Sequence, residues 1–353
     1  MKSPKIREIN NLKSWLDRKI GAAALERMLI LNQYKLLYVE TPKAGCTKIR
    51  SLLILLNRGY EDGKLADFLK TTSATYYHWE FGIPDNQTYH NKELLTLFNN
   101  PDYCKFAFVR NPYERLASAY ADRIYAPHLK NYEYYIYFAQ KIKAESIWHP
   151  VGLIPRLVTK IERCINAIIP PPKASASLAR FGSEKDDLPQ TTYDYASIEQ
   201  KIKESYGKYT KHPYKQVYEK LKMLFGYPNI DSIDLNKTPV SFEEFINFVC
   251  DQNIEDMDEH WPVQTYYIGY DFIDYDFIGR LESFAQDIQV VFNKINAPDY
   301  IYRYITGKLN ESKRKETQIN WTDELAEKVY EKYRSDFEAF GYDRMSYKIV
   351  SDH

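Results

Sequence analysis

The chain has 353 residues, 44% of them hydrophobic, which permits one large domain or two ordinary ones around a substantial core. Lysine plus arginine equals aspartate plus glutamate at 48 each, so net charge gives no general attraction to nucleic acid or to an acidic polymer, and any anion site must be local. No apolar run reaches the roughly 18 residues that span a bilayer, and Cys46, Cys104, Cys164 and Cys250 have neither a Cys-x-x-Cys pair nor zinc spacing. The expectation is a globular protein with reduced thiols, no resident metal, and no nucleic-acid or membrane partner.

In chain order, residues 5 to 32 read as helix, with Ile9, Leu12, Leu16, Ile20, Ala23 and Ala24 broadly at helical spacing. Leu36 to Val39 is a short continuous apolar run of the kind that forms a strand buried on both faces. A helix is predicted from Thr47 to Asn57, stopped by Gly59, and another from Lys92 to Phe98. Cys104 to Val109 predicts a second buried strand, and Pro112 follows at a first helical position, where its missing amide costs nothing. Residues 124 to 169 look mostly helical, and Pro170-Pro171-Pro172 opens a predicted surface loop to about Gln190. Later come a helix from Phe242 to Val249, a strand from Phe272 to Ile278 and a helix from Leu281 to Phe292. Thr322 then caps a last long helix that ends at Gly341.

Two stretches carry the chemistry. Thr41-Pro42-Lys43-Ala44-Gly45-Cys46-Thr47-Lys48 and Phe108-Val109-Arg110-Asn111-Pro112-Tyr113-Glu114-Arg115-Leu116-Ala117-Ser118 each follow a buried strand and open a helix. A strand that turns tightly into a helix leaves unpaired amides where the helix dipole favours an anion. Two such units imply a parallel sheet with ligands outside the strand C-termini, so the segments read as two halves of one site for a ligand with separated phosphate-like groups. The first is not a Walker A sequence, because Gly45 is followed by Cys46-Thr47, and a magnesium-dependent kinase fits poorly.

This pair resembles the sulfotransferases that use 3'-phosphoadenosine 5'-phosphosulfate (PAPS), within them the carbohydrate sulfotransferase family that includes the chondroitin 4-O and HNK-1 enzymes. The resemblance extends to Glu259-His260-Trp261, to Tyr275-Asp276-Phe277-Ile278-Gly279-Arg280-Leu281-Glu282 and to Asp336-Phe337-Glu338-Ala339-Phe340-Gly341-Tyr342. It runs from about residue 36 to 343, with residues 126 to 235 matching poorly. It implies an α/β fold, a P-loop NTPase-like three-layer sandwich with a central parallel sheet and a largely helical insertion. Residues 1–353 would form a single domain: an N-terminal helical segment (1–35), a PAPS-binding core (36–125), a helical and loop insertion shaping the acceptor pocket (126–235) and the rest of the core (236–345).

By the same resemblance Lys43, Gly45, Cys46, Thr47 and Lys48 bind the 5'-phosphosulfate, and Arg110 and Ser118 bind the 3'-phosphate. PAP is then the product, the acceptor is a hydroxyl of a carbohydrate or small molecule, and no metal is needed. An ammonium at Lys43 suits the charge that grows on the bridging oxygen. The base is open among His78, the first choice, His90 and Glu80; a neutral imidazole can accept the acceptor's proton. His260-Trp261 reads either as acceptor lining or as a core pair, and Asn310-Glu311-Ser312-Lys313-Arg314-Lys315 either as a loop over the nucleotide or as a solvated charge run. Ser118 reads as sharing a helix face with Glu114 and Arg115, away from the core side of Leu116, Ala119 and Tyr120. A small cyclic metabolite as the O- or N-acceptor, and a non-catalytic PAP-binding protein, are the rival readings. The family's animal Golgi members carry an N-terminal anchor; the absent apolar segment and Met1 lead to the expectation of a cytoplasmic protein, of open oligomeric state.

Overall fold

Among the described residues four short strands form one mixed sheet, in the spatial order β1 (Leu29–Leu31), β2 (Leu36–Val39), β3 (Cys104–Val109) and β4 (Phe277–Arg280). The structure, a computed structural model, describes residues 27–59, 91–125, 133–148, 227–306 and 319–350, with isolated positions 12, 14, 15, 18, 21, 24, 25, 63, 65, 66, 83 and 223. The chain divides into two compact units, Met1–Ala121 with Val249–His353, and Asp122–Phe248.

Within the first unit, β2, β3 and β4 run parallel, with Tyr38 opposite Phe106 and Phe108 opposite Gly279. β1 is antiparallel to β2, with Leu29 opposite Tyr38. This strand corrects the helix predicted through residue 32. Met28, Leu29, Ile30 and Leu31 are all at most 1% exposed, and a run buried on both sides satisfies a sheet better than a one-sided helix. β4 also begins later than predicted, at Phe277.

Alternate residues of the strands pack on opposite faces of the sheet. Leu36, Tyr38, Phe106 and Phe108 join Ile49, Leu52, Leu53 and Leu56 of helix α1 (Cys46–Arg58) and Ile288, Val291 and Phe292 of a later helix, Phe284–Lys294. Leu37, Val39, Ala107 and Val109 join Leu94 and Phe98 of α2 (Asn91–Phe98) and Phe340. Such two-sided burial explains why β1 and β2 read as unbroken apolar runs and β3 as one broken only by Lys105. Gly59, at φ 76°, ends α1 as predicted.

Helix α3 (Pro112–Ala119) follows β3, with Pro112 in its first turn. In the second unit, α4 (Glu133–Ile147) packs Ala144 against Tyr227 and Ile230. Helix α5 (Phe242–Asp251) opens with a reciprocal capping box: Ser241 and Glu244 each accept the other's backbone N–H, at 3.1 and 2.8 Å. Back in the first unit come the short α6 (Gln264–Tyr267), then α7 (Phe284–Lys294), then α8 (Asp323–Phe340). Thr322 caps α8 by accepting from Leu325 N at 3.2 Å, and Gly341 ends it at φ 64°. A last turn, α9 (Tyr347–Val350), follows. Among the described residues no helix is long and apolar enough to cross a membrane.

Candidate functional site

The first loop leaves β2 over a buried ion network. Glu40 is 0% exposed and binds the guanidiniums of Arg50, through Nε, and Arg27, through Nη1 at 3.0 Å. Arg27 also forks onto both carboxylate oxygens of Glu259, one of them at 3.0 Å. Burial pushes the Glu40 carboxyl up, but Arg50 and Arg27 outweigh it and hold it below the usual carboxylate range. The chain then turns, with Ala44 N donating to Thr41 O at 3.2 Å, and Lys43 takes a left-handed conformation at φ 68°.

Gly45 caps α1 at φ 82°. A side chain there is excluded twice over, by that φ and by Leu281 Cδ1, which would lie 2.9 Å from a Cβ. A glycine cap has no side chain to spend on the first-turn amides of α1. Cys46, Thr47 and Lys48 begin that helix, each partly buried. Burial, and then the Glu40 carboxylate, push the Cys46 thiol up, so it serves there as a neutral group.

The second helix start is arranged differently from the first. Asn111 Oδ1 accepts from Tyr113 N at 3.0 Å, and Glu282 Oε1 accepts from Asn111 N at 2.7 Å. The Asn111 and Tyr113 amides of this terminus are thus occupied, which leaves its side chains. Arg110 supplies one: its Nη1 lies 3.4 Å from the Lys43 carbonyl and its Nη2 2.8 Å from Glu114 Oε2. The structure therefore brings Arg110 to the Lys43 loop. Ser118 is 6% exposed and Arg115 only 1%, so two of the three residues expected away from the core are buried, while Glu114 keeps 21% of its side chain exposed.

Arg115 shows why. Its Nε donates to Pro42 O at 2.9 Å and its Nη1 to Pro262 O at 2.5 Å, tying α3 to the residue before Lys43. Asp336, 0% exposed, accepts from Gln264 N and Thr265 N at 2.8 Å each; burial nevertheless pushes its carboxyl up. Glu40, Arg115, Gln264 and Asp336 were not singled out from sequence for these roles; those of Arg115, Gln264 and Asp336 depend on partners 72 to 154 residues away, and only the Arg-x-x-Ser spacing hinted at Arg115.

His260-Trp261 resolves as a core pair. Trp261 is 0% exposed with Nε1 on Gln252 Oε1 at 2.9 Å, and His260 Nδ1 lies 2.6 Å from Asp258 Oδ1. His78, His90, Glu80 and the segment 310–315 lie outside the described residues. Among the described residues, no group of three or more His, Cys, Asp or Glu could hold a metal ion.

Residues 26–157 and 190–343 match the model of the Sulfotransferase family. Carbohydrate sulfotransferase 10 of Gallus gallus is 33% identical over 112 residues, 32% of this chain and 30% of its own length. Carbohydrate sulfotransferase 9 of Homo sapiens is 23% identical over 276 residues, 78% of this chain and 42% of its own. Carbohydrate sulfotransferase 12 of Xenopus laevis is 22% identical over 343 residues, 90% of this chain and 60% of its own. The chain thus spans less than two thirds of the length of each of these relatives. No solved structure matches it significantly. These relatives lend no support to the expected cytoplasmic location.

Proposed function

Because this chain belongs to the sulfotransferase family, we propose that it transfers a sulfuryl group from PAPS to a carbohydrate hydroxyl by in-line displacement, releasing PAP. The loop from Lys43 to Lys48 and the start of α1 take the 5'-phosphosulfate, and Arg110 with Ser118 takes the 3'-phosphate. Lys43 stabilises charge on the bridging oxygen as the bond to sulfur breaks, and His78 accepts the hydroxyl proton. In this reading the fold is a P-loop NTPase-like three-layer sandwich, and residues 1–353 form one sulfotransferase domain with a largely helical insertion.

One observation carries the reading: Arg110 Nη1 stands 3.4 Å from the Lys43 carbonyl, so two anion-binding segments meet at one sheet edge. The residues fit a donor with two separated anionic groups, since the first helix start has a glycine cap and the second offers a guanidinium beside an occupied terminus. The test is incubation with PAPS, carbohydrate acceptors and excess EDTA, followed by mass spectrometry. A product heavier by one sulfuryl group is expected. PAP binding without any sulfated product favours a nucleotide-binding protein, and a strict magnesium requirement revives the kinase.

A further inference from the structure

Arg110 is the first residue beyond β3, where the ladder with β4 ends at Val109 opposite Arg280. Its peptide groups are nevertheless paired, by a side chain. Gln264 Oε1 accepts from Arg110 N at 2.9 Å, and Gln264 Nε2 donates to Arg110 O at 2.8 Å. One carboxamide thus supplies a donor and an acceptor in the register that a neighbouring strand would. Gln264 is 0% exposed, and Asp336 fixes it in turn by accepting from its backbone N at 2.8 Å and its Nε2 at 3.3 Å. A two-point clasp removes the freedom of the Arg110 backbone to rotate, and so aims its guanidinium.

We infer that Gln264 is the positioning residue of the 3'-phosphate arm: it acts through Arg110, on nucleotides that carry a 3'-phosphate, and leaves the Lys43 arm alone. This rests on the reading of Arg110 under Proposed function. Gln264 touches neither Lys43 nor α1 in any of these bonds; Arg115, which holds Pro42 O, serves that side instead. The two arms touch where Arg110 Nη1 meets the Lys43 carbonyl, but their backbone supports differ, Gln264 for Arg110 and Arg115 for Pro42, so damage to one support should be readable apart from the other.

Calorimetric titration of the full chain with PAP and with 5'-AMP separates them. Wild type is expected to prefer PAP by about a hundredfold, the worth of two hydrogen bonds to a charged group. Gln264→Leu should cut that preference at least tenfold while leaving 5'-AMP affinity within about twofold of wild type, and should add little further loss in an Arg110→Ala background. Should the leucine variant fail to fold, Gln264→Asn, with both groups kept but drawn back by one methylene, is held to the same criteria. A variant that keeps the wild-type preference, or loses affinity for both nucleotides alike, overturns the inference alone. A wild type that binds PAP and 5'-AMP equally overturns the reading of Arg110, and this inference with it.

Discussion

Lys43 holds a left-handed backbone, φ 68°, that costs a residue with a Cβ about 1–2 kcal/mol. Glycine relieves that cost but loses more freedom on folding, so the two terms partly cancel. Lys43→Gly should therefore be more stable than Lys43→Ala by about 1 kcal/mol in urea unfolding, while both lose turnover together. Equal stabilities would mean that the loop relaxes when the lysine is removed. Glu40 gives a second expectation, since removing one partner of a buried ion pair costs about 3–5 kcal/mol. Its folded pKa lies below the ordinary value, so the stability it contributes is present above about pH 4.3 and lost as pH falls through the folded value. The stability gap between wild type and Glu40→Gln should be widest at pH 7 and narrow in acid. A gap that does not move with pH means that folding leaves the carboxyl's affinity for its proton unchanged, and one that narrows as pH rises from about 4 to 7 means that the carboxyl is protonated in the fold. The helix start at Gly45 and the strand end before Arg110 were legible in the sequence because each sits in a short segment whose local pattern is complete. Gln264 and Asp336 were not, because a glutamine and an aspartate become supports only through what stands opposite, 154 residues away for the Gln264 clasp.

Elements were legible in proportion to how much of their stabilisation is local. Helix α1 has its glycine cap, its apolar face and its terminal glycine in sequence, and α3 has Asn111 and Pro112 at its start, so both emerged where expected. β1 did not, because three residues between a helical stretch and a turn carry no period of their own, and their pairing with β2 decides them. The β3 and β4 pair makes a sharper demand. Phe108 lies opposite Gly279, and a Cβ on Gly279 would meet the Phe108 ring at 2.5 Å. Gly279→Ala should cost about 1–3 kcal/mol by overpacking. Adding Phe108→Leu should recover part of that loss, a coupling that a double-mutant cycle in urea reads directly. Strict additivity would place the strain elsewhere.

At the scale of the whole chain, the two strand-to-helix segments fall within residues 41 to 118, yet groups that brace the second come much later. Asn111 N pairs with Glu282 and Lys105 N with Asp276, each across 171 residues. That separation sets an order of events during synthesis. A ribosome adding roughly 5 to 20 residues per second takes about 10 to 30 s to cover it. Through that interval the edge of β3 that β4 will cover stands open, a row of unpaired amides and carbonyls beside apolar side chains. Arg110 meanwhile has left the ribosome without Gln264, and Asn111 without Glu282. The nascent chain therefore carries both strand-to-helix segments well before their braces exist, and is exposed to mispairing and in need of holding until β4 arrives.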